Sequence, residues 1–97
     1  MVKWDAKKIT NWSAETFGNP DFHATAKRMK KEIDEFYEAI EKGDLENAIE
    51  EMVDIEVMLR QCAHLSGIDL DEGVDSKMEI NQKRVWARTE DGDFQHV

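Results

Sequence analysis

A chain of 97 residues, 40% hydrophobic and 36% charged, is long enough for one small domain with a single core. Its formal charge of −9 argues against binding a nucleic-acid polymer nonspecifically and against an anionic membrane surface. It leaves room for a small polyphosphate if cations bridge the two negative parties.

Cys62 is the one cysteine, so no intrachain disulfide framework is expected. MVKWDAKK lacks a secretion signal's apolar run, and no stretch approaches the ~18 apolar residues of a membrane span. The expectation is a cytoplasmic protein.

Residues 4–17 read as a short helix, with Trp4, Ile9, Trp12 and Phe17 along its apolar side and Gly18 as its stop. Asn19 is expected to cap a second helix and Pro20 to open it. That helix, 20–42, carries the clearest periodicity. Phe22, Ala26, Met29, Ile33, Phe36, Tyr37 and Ile40 recur at threes and fours as one apolar stripe.

Gly43 ends the second helix and Asp44 caps the third, 45–66, where Leu45, Ala48, Ile49, Met52, Ile55, Leu59, Cys62 and Ala63 repeat the pattern until Gly67. Asp69 or Asp71 would start a fourth helix reaching about Arg88. Residues 88–97 read as a polar, loosely ordered tail with a turn at Asp91-Gly92. No strand signal is read, so the expected fold is all-α: four helices around a central antiparallel hairpin.

That hairpin carries the chemistry. Glu32 and Glu35 on one helix, and Glu51 and Asp54 on the next, each have i, i+3 spacing and so share a helix face. Glu35 and Glu51 lie eight residues either side of Gly43, and Glu32 and Asp54 eleven. At helical rise the pairs fall level, roughly 12 and 16 Å from the turn. Four acids brought together repel unless a cation sits among them. A solvated helix face is the bland alternative, because some acidic pairs arise by chance in a chain with 22 Asp and Glu. Oxygen ligands without histidine favour Mg²⁺ or Mn²⁺ over Zn²⁺.

Lys77, Asn81 and Arg84 stand at i, i+4, i+7 on one face of the fourth helix. Alone, Lys77 and Arg84 read as exposed salt-bridge formers. Beside an acidic metal site, Arg84 suits bidentate contact with phosphate and Lys77 a point charge, while Asn81 anchors phosphate or orients a carboxylate. Trp12 and Phe17 fit a core role, or a platform for a nucleobase. His23, His64 and His96 share no ligand spacing, and Cys62, on the apolar stripe, reads as an inert buried thiol.

The ordered set E-x-x-E (Glu32, Glu35), E-x-x-D (Glu51, Asp54) and K-x-x-x-N-x-x-R (Lys77, Asn81, Arg84) resembles the MazG-like all-α nucleotide pyrophosphohydrolases. The likeness is nearest to the small single-domain bacterial and phage members acting on deoxynucleoside triphosphates. It implies one MazG-like domain over 1–97, a homodimer or homotetramer, and Mg²⁺ (or Mn²⁺) held by the four acids. The implied reaction cleaves a nucleoside triphosphate, on this likeness a purine dNTP such as dGTP or dATP, to the monophosphate and pyrophosphate.

In the mechanism expected on this basis, Glu35 positions or deprotonates the attacking water. Lys77 and Arg84 neutralise phosphate charge, Asn81 binds substrate, and Trp12 stacks on the base. One departure stands out: many members carry Glu immediately before the first motif Glu, where this chain has Lys31. Two rivals remain at this point. One is a non-enzymatic acidic helical binding or regulatory module, and the other is the same fold acting on dUTP, dCTP or another nucleotide.

Overall fold

The computed structural model describes residues 3–18 and 21–97. Four helices, α1 (Ala6–Phe17), α2 (Phe22–Lys42), α3 (Leu45–Ser66) and α4 (Leu70–Lys83), precede two short strands, β1 (Trp86–Arg88) and β2 (Phe94–His96). The all-α expectation holds. Among the described residues, no helix is long and apolar enough to cross a membrane.

Aspartates start every helix. The side chains of Asp5, Asp21, Asp44 and Asp69 accept from the backbone N–H groups of Lys8, His23, Asn47 and Glu72, satisfying donors that the first helical turn leaves free. Asp21, not Asn19, therefore caps α2, and α2 begins at Phe22. The expected cap at Asn19 and first helical position at Pro20 lie outside the described residues. The first helix likewise starts at Ala6, leaving Trp4 before it with the Lys8 ammonium 5.2 Å from its ring centre.

The fourth helix stops at Lys83, short of the expected Arg88, because the chain turns into a hairpin. Trp86 pairs with His96 and Arg88 with Phe94 in antiparallel register. Gly92, at φ 88°, closes the turn. Thr89 N–H donates to Asp93 O at 2.8 Å, and the Thr89 hydroxyl donates to the Asp91 carboxylate. Residues 88–97 thus belong to a hairpin rather than a loosely ordered tail. An Asp-Gly turn between apolar runs is itself a hairpin signal, but strands of three residues are too short to show alternation.

The α2–α3 hairpin is the spine. Gly43 adopts the left-handed conformation (φ 72°, ψ 19°), and its N–H reaches the carbonyls of Ala39 and Ile40. Asp44 N–H bonds Ala39 O at 2.9 Å. Ala39 and Ala48, 2% and 1% exposed, let the helices close beside the turn. Further along, Thr25 and Met58 are buried, and α1 lies against α3.

The inward line of α2 is Thr25, Met29, Glu32, Phe36 and Ala39, all buried or half-buried. Much of the expected apolar stripe lies beside that line: Phe22, Ile33, Tyr37 and Ile40 are exposed. On α3, Leu45, Ile49, Met52 and Val53 are also exposed, and on α4 Val74, Met78 and Ile80. Nothing on α4 is buried. The stripes read as core are therefore only partly core within one chain.

The turn sets the register of both long helices. A Cβ built on Gly43 meets nothing within 4 Å, so replacing it costs backbone conformation alone. Gly43→Ala is expected to lower unfolding free energy by about 1–2 kcal/mol, read as a lower urea midpoint with unchanged helical circular dichroism.

Candidate metal centre

Where the two long helices run level, Glu32 and Glu35 from α2 meet Glu51 from α3. Each is half-buried, and the three offer carboxylate oxygens within 4.8 Å of one another. Asp54 is exposed and stands at the edge of this trio, close enough for its charge to act on Glu51. Three of the four acids singled out from spacing therefore converge, with the fourth beside them.

This crowding moves a proton equilibrium. The Glu51 carboxyl is raised from 4.5 to about 7, first by its hydrogen bond with Glu32, then by burial, then by repulsion from Glu32, Glu35 and Asp54. Glu51 Oε2 is buried without a donor from the protein. Such an oxygen is satisfied by a proton shared toward Glu32 or by a cation. Among the described residues the one ion pair is Arg60 with Glu56, at 2.9 Å, so no protein cation neutralises the trio. An all-oxygen donor set with an orphaned acceptor suits a hard divalent ion.

Lys77 and Asn81 are on α4, whereas Arg84, expected on the same helical face, caps its end with extended backbone (φ −80°, ψ 149°), because the helix stops at Lys83 where the chain turns into the hairpin. Asn81 and Arg84 are half-buried and Lys77 is exposed. Asn81 O accepts from the Trp86 indole N–H at 3.0 Å, its amide nitrogen points at Met78 Sδ at 3.9 Å, and its Oδ1 is buried without a donor. Among the described residues no hydrogen bond or ion pair joins these three to the acids of the same chain.

Trp12 is 42% exposed and packs edge-on against Phe17, ring centres 5.4 Å apart. It is therefore not a core residue of the single chain. His23 and His96 pack against Phe22 and Trp86, and Cys62 is half-buried. An open cleft of about 450 Å³ lies where the start of α1 meets the end of α3. Lys7, Arg60, His64 and Asp69 line it, and none of the four acids does.

Sequence reasoning missed a polar relay that joins the first three helices. Gln61, 4% exposed, donates its amide to Ser13 Oγ at 2.7 Å, and Arg28 donates to Gln61 Oε1 at 3.5 Å. The only signal in the sequence is that Arg28 precedes Glu32 and Glu35 at i, i+4, i+7.

Residues 5–85 match the sequence model of the phosphoribosyl-ATP pyrophosphohydrolase family. The chain belongs to that family. It is similar to a dATP/dGTP diphosphohydrolase of Salmonella phage PMBT28, 37% identical over 93 residues, covering 94% of this chain and 30% of that protein. A dATP/dGTP diphosphohydrolase of Cyanophage S-2L is 34% identical over 47 residues, covering 48% of this chain and 45% of that protein. The chain thus spans less than half the length of the curated relatives it matches.

Among solved structures, the Cyanophage S-2L MazG-like pyrophosphohydrolase shares the fold with a TM-score of 0.75 at 24% identity. The match covers 95% of this chain and 88% of that one. That structure holds dGDP and three catalytic Mn²⁺ ions per active site. The resemblance to MazG-like proteins, read from three short motifs, is borne out.

The sign of the Glu51 shift fixes a pH dependence. Its carboxyl titrates higher in the fold than the ordinary 4.5, so the metal-free fold holds the proton more tightly than the unfolded chain does. Stability from this group is present at low pH and lost as pH rises from about 4.5 to about 7. In chelator, the melting temperature of the natural chain is expected to fall across that window relative to Glu51→Gln. Added Mn²⁺ should restore it most above the upper limit, where binding no longer displaces a proton.

Proposed function

We propose that this chain hydrolyses a purine deoxynucleoside triphosphate to the monophosphate and pyrophosphate, with 1–97 acting as one domain. The observation that carries the reading is the carboxylate trio with its unsatisfied Glu51 oxygen. It lies in a fold shared with a protein that binds dGDP and Mn²⁺. The phage relatives named for dATP and dGTP support the purine deoxynucleotide.

Glu32, Glu35 and Glu51, with Asp54 at the edge, would hold Mg²⁺ or Mn²⁺. Bound there, such ions supply charge neutralisation and Lewis-acid activation of the phosphate. Glu35 orients the attacking water and accepts its proton. The water oxygen bonds to the α-phosphorus as the bond to the bridging β-phosphate oxygen breaks, and pyrophosphate departs in line. Lys77 and Arg84 offset charge on the phosphates, and Asn81 binds a phosphate oxygen. The exposed Trp12 face stacks on the base.

This assignment needs a second copy of the chain. Among the described residues, no hydrogen bond or ion pair joins Lys77, Asn81 or Arg84 to the acids of their own chain. Meanwhile Ile33, Tyr37, Ile40, Ile49, Met52 and Val53 leave the spine's apolar side uncovered, an area of the kind that marks an interface. A homodimer or homotetramer that covers this face would bring α4 of one copy toward the acids of another.

Two outcomes test the reading. With Mn²⁺ or Mg²⁺ and a panel of dNTPs, pyrophosphate and monophosphate should appear together, fastest with dGTP or dATP. Inorganic phosphate as the first product, or a preference for dUTP or dCTP, would refute the reaction or the base. Glu35→Gln should lower kcat by at least about 100-fold with the helical spectrum intact. For the assembly, Ile49→Asp should convert the oligomer to monomer in sedimentation and remove turnover with it.

A further inference from the structure

Against a net charge of −9, the chain gathers Lys27, Arg28, Lys30 and Lys31 into five positions directly before Glu32. Arg28 differs from its neighbours in what it touches. It shares a helix stripe with Glu32 and Glu35 and lies one turn, about 6 Å, from Glu32. Yet it forms no ion pair among the described residues. Its guanidinium donates instead to Gln61 Oε1 at 3.5 Å. Gln61 donates from its amide to Ser13 Oγ at 2.7 Å, and both partners in that second bond are buried, at 4% and 5% exposed. Because Ser13 takes the nitrogen end of the amide, the oxygen end is turned toward Arg28. Three helices contribute one residue each to this relay.

The chemistry of the tether is informative. A carboxylate at position 61 would hold the guanidinium and cancel its charge. A neutral amide holds it and leaves the charge in place. Gln61 uses one of the five guanidinium N–H groups, so a planar donor fork remains for a further anion. A polyphosphate chain seated on the acids through its cations is long enough to reach one helical turn along α2.

We propose that Arg28 is a phosphate-binding residue of this site, positioned by the Gln61–Ser13 relay and directed at the β- or γ-phosphoryl group rather than the reacting phosphorus. The assignment rests on the polyphosphate reading above. Gln61 and Ser13 are positioning residues that act through Arg28.

The test compares the natural chain with Arg28→Met, Arg28→Lys, Gln61→Glu and Ser13→Ala, with Lys30→Met as a surface control. Steady-state kinetics with dGTP and Mn²⁺ are measured beside calorimetric binding of inorganic tripolyphosphate with Mn²⁺. Arg28→Met should raise KM and weaken tripolyphosphate binding by about 10–100-fold, and Arg28→Lys should recover part of each. Gln61→Glu keeps an acceptor in place but adds the cancelling charge. It should raise KM and weaken tripolyphosphate binding, and Ser13→Ala should do the same to a smaller degree; both also lower the melting temperature, because each disturbs the buried Ser13–Gln61 bond. Inhibition by dGMP, which lacks the β- and γ-phosphates, should stay unchanged in all of them.

Unchanged KM and tripolyphosphate binding in Arg28→Met and Gln61→Glu would overturn the proposal. So would losses confined to melting temperature and kcat, the mark of a purely structural tie, or a natural chain that binds no tripolyphosphate. The two readings fail separately. A chain that turns over dNTPs with Arg28→Met fully active retains the reaction and loses this role. One that binds tripolyphosphate through Arg28 but cleaves no dNTP loses the reaction and retains it.

Discussion

Like charges held together against their repulsion are the constraint around which this molecule is built. Glu32, Glu35 and Glu51 bring oxygens within 4.8 Å of one another, and among the described residues no lysine or arginine pairs with them. A chain free to choose would splay those side chains into water. Here the backbone does not allow it. The α2–α3 turn fixes the register, and helix packing keeps the three half-buried. The raised Glu51 carboxyl and its unpartnered oxygen are the local signs of that compulsion. Elements elsewhere must supply the stability that this rung of the hairpin withholds, and the four aspartate caps and the Ser13–Gln61 bond are among them.

Much of this is visible in the residue order. Gly43, Asp44 and Gly67 mark α3 to the residue, because an αL-tolerant stop and a capping carboxylate are local requirements that local residues meet. Equal spacing of acids about Gly43 carries over directly, since helical rise is constant. The orientation of the apolar stripes does not carry over. Phe22, Ile33, Tyr37 and Ile40 recur at core spacing, yet the hairpin packs on the adjacent line that includes Glu32. Periodicity states that a face is to be covered, and it is silent on whether the cover comes from the same chain.

The remaining misses share a cause. Arg28, Ser13 and Gln61 come from three helices, and the separation of 48 positions from Ser13 to Gln61 places their bond beyond any local pattern. The C-terminal hairpin was legible at Asp91-Gly92, but its strands are three residues each, too short for an alternating signal. Lys77 and Asn81 share a face of α4, but Arg84, the third residue of the expected stripe, lies past the helix end with extended backbone. Helix spacing holds no information about which acids these residues serve.

The two small residues next to the turn have a bearing on which ion the molecule prefers. Ala39 and Ala48 lie between Gly43 and the carboxylates and are almost fully buried, so a methyl group is what separates the helices there. Mg²⁺ is held by oxygens at about 2.0–2.1 Å and Ca²⁺ at about 2.3–2.6 Å, a difference of a few tenths of an ångström in the radius of the cage. Widening the helices by one methylene acts on the same length scale. With the ion held by these acids as proposed, discrimination between cations of equal charge would depend also on side chains that never meet the ion, and evolution could retune it without touching a ligand.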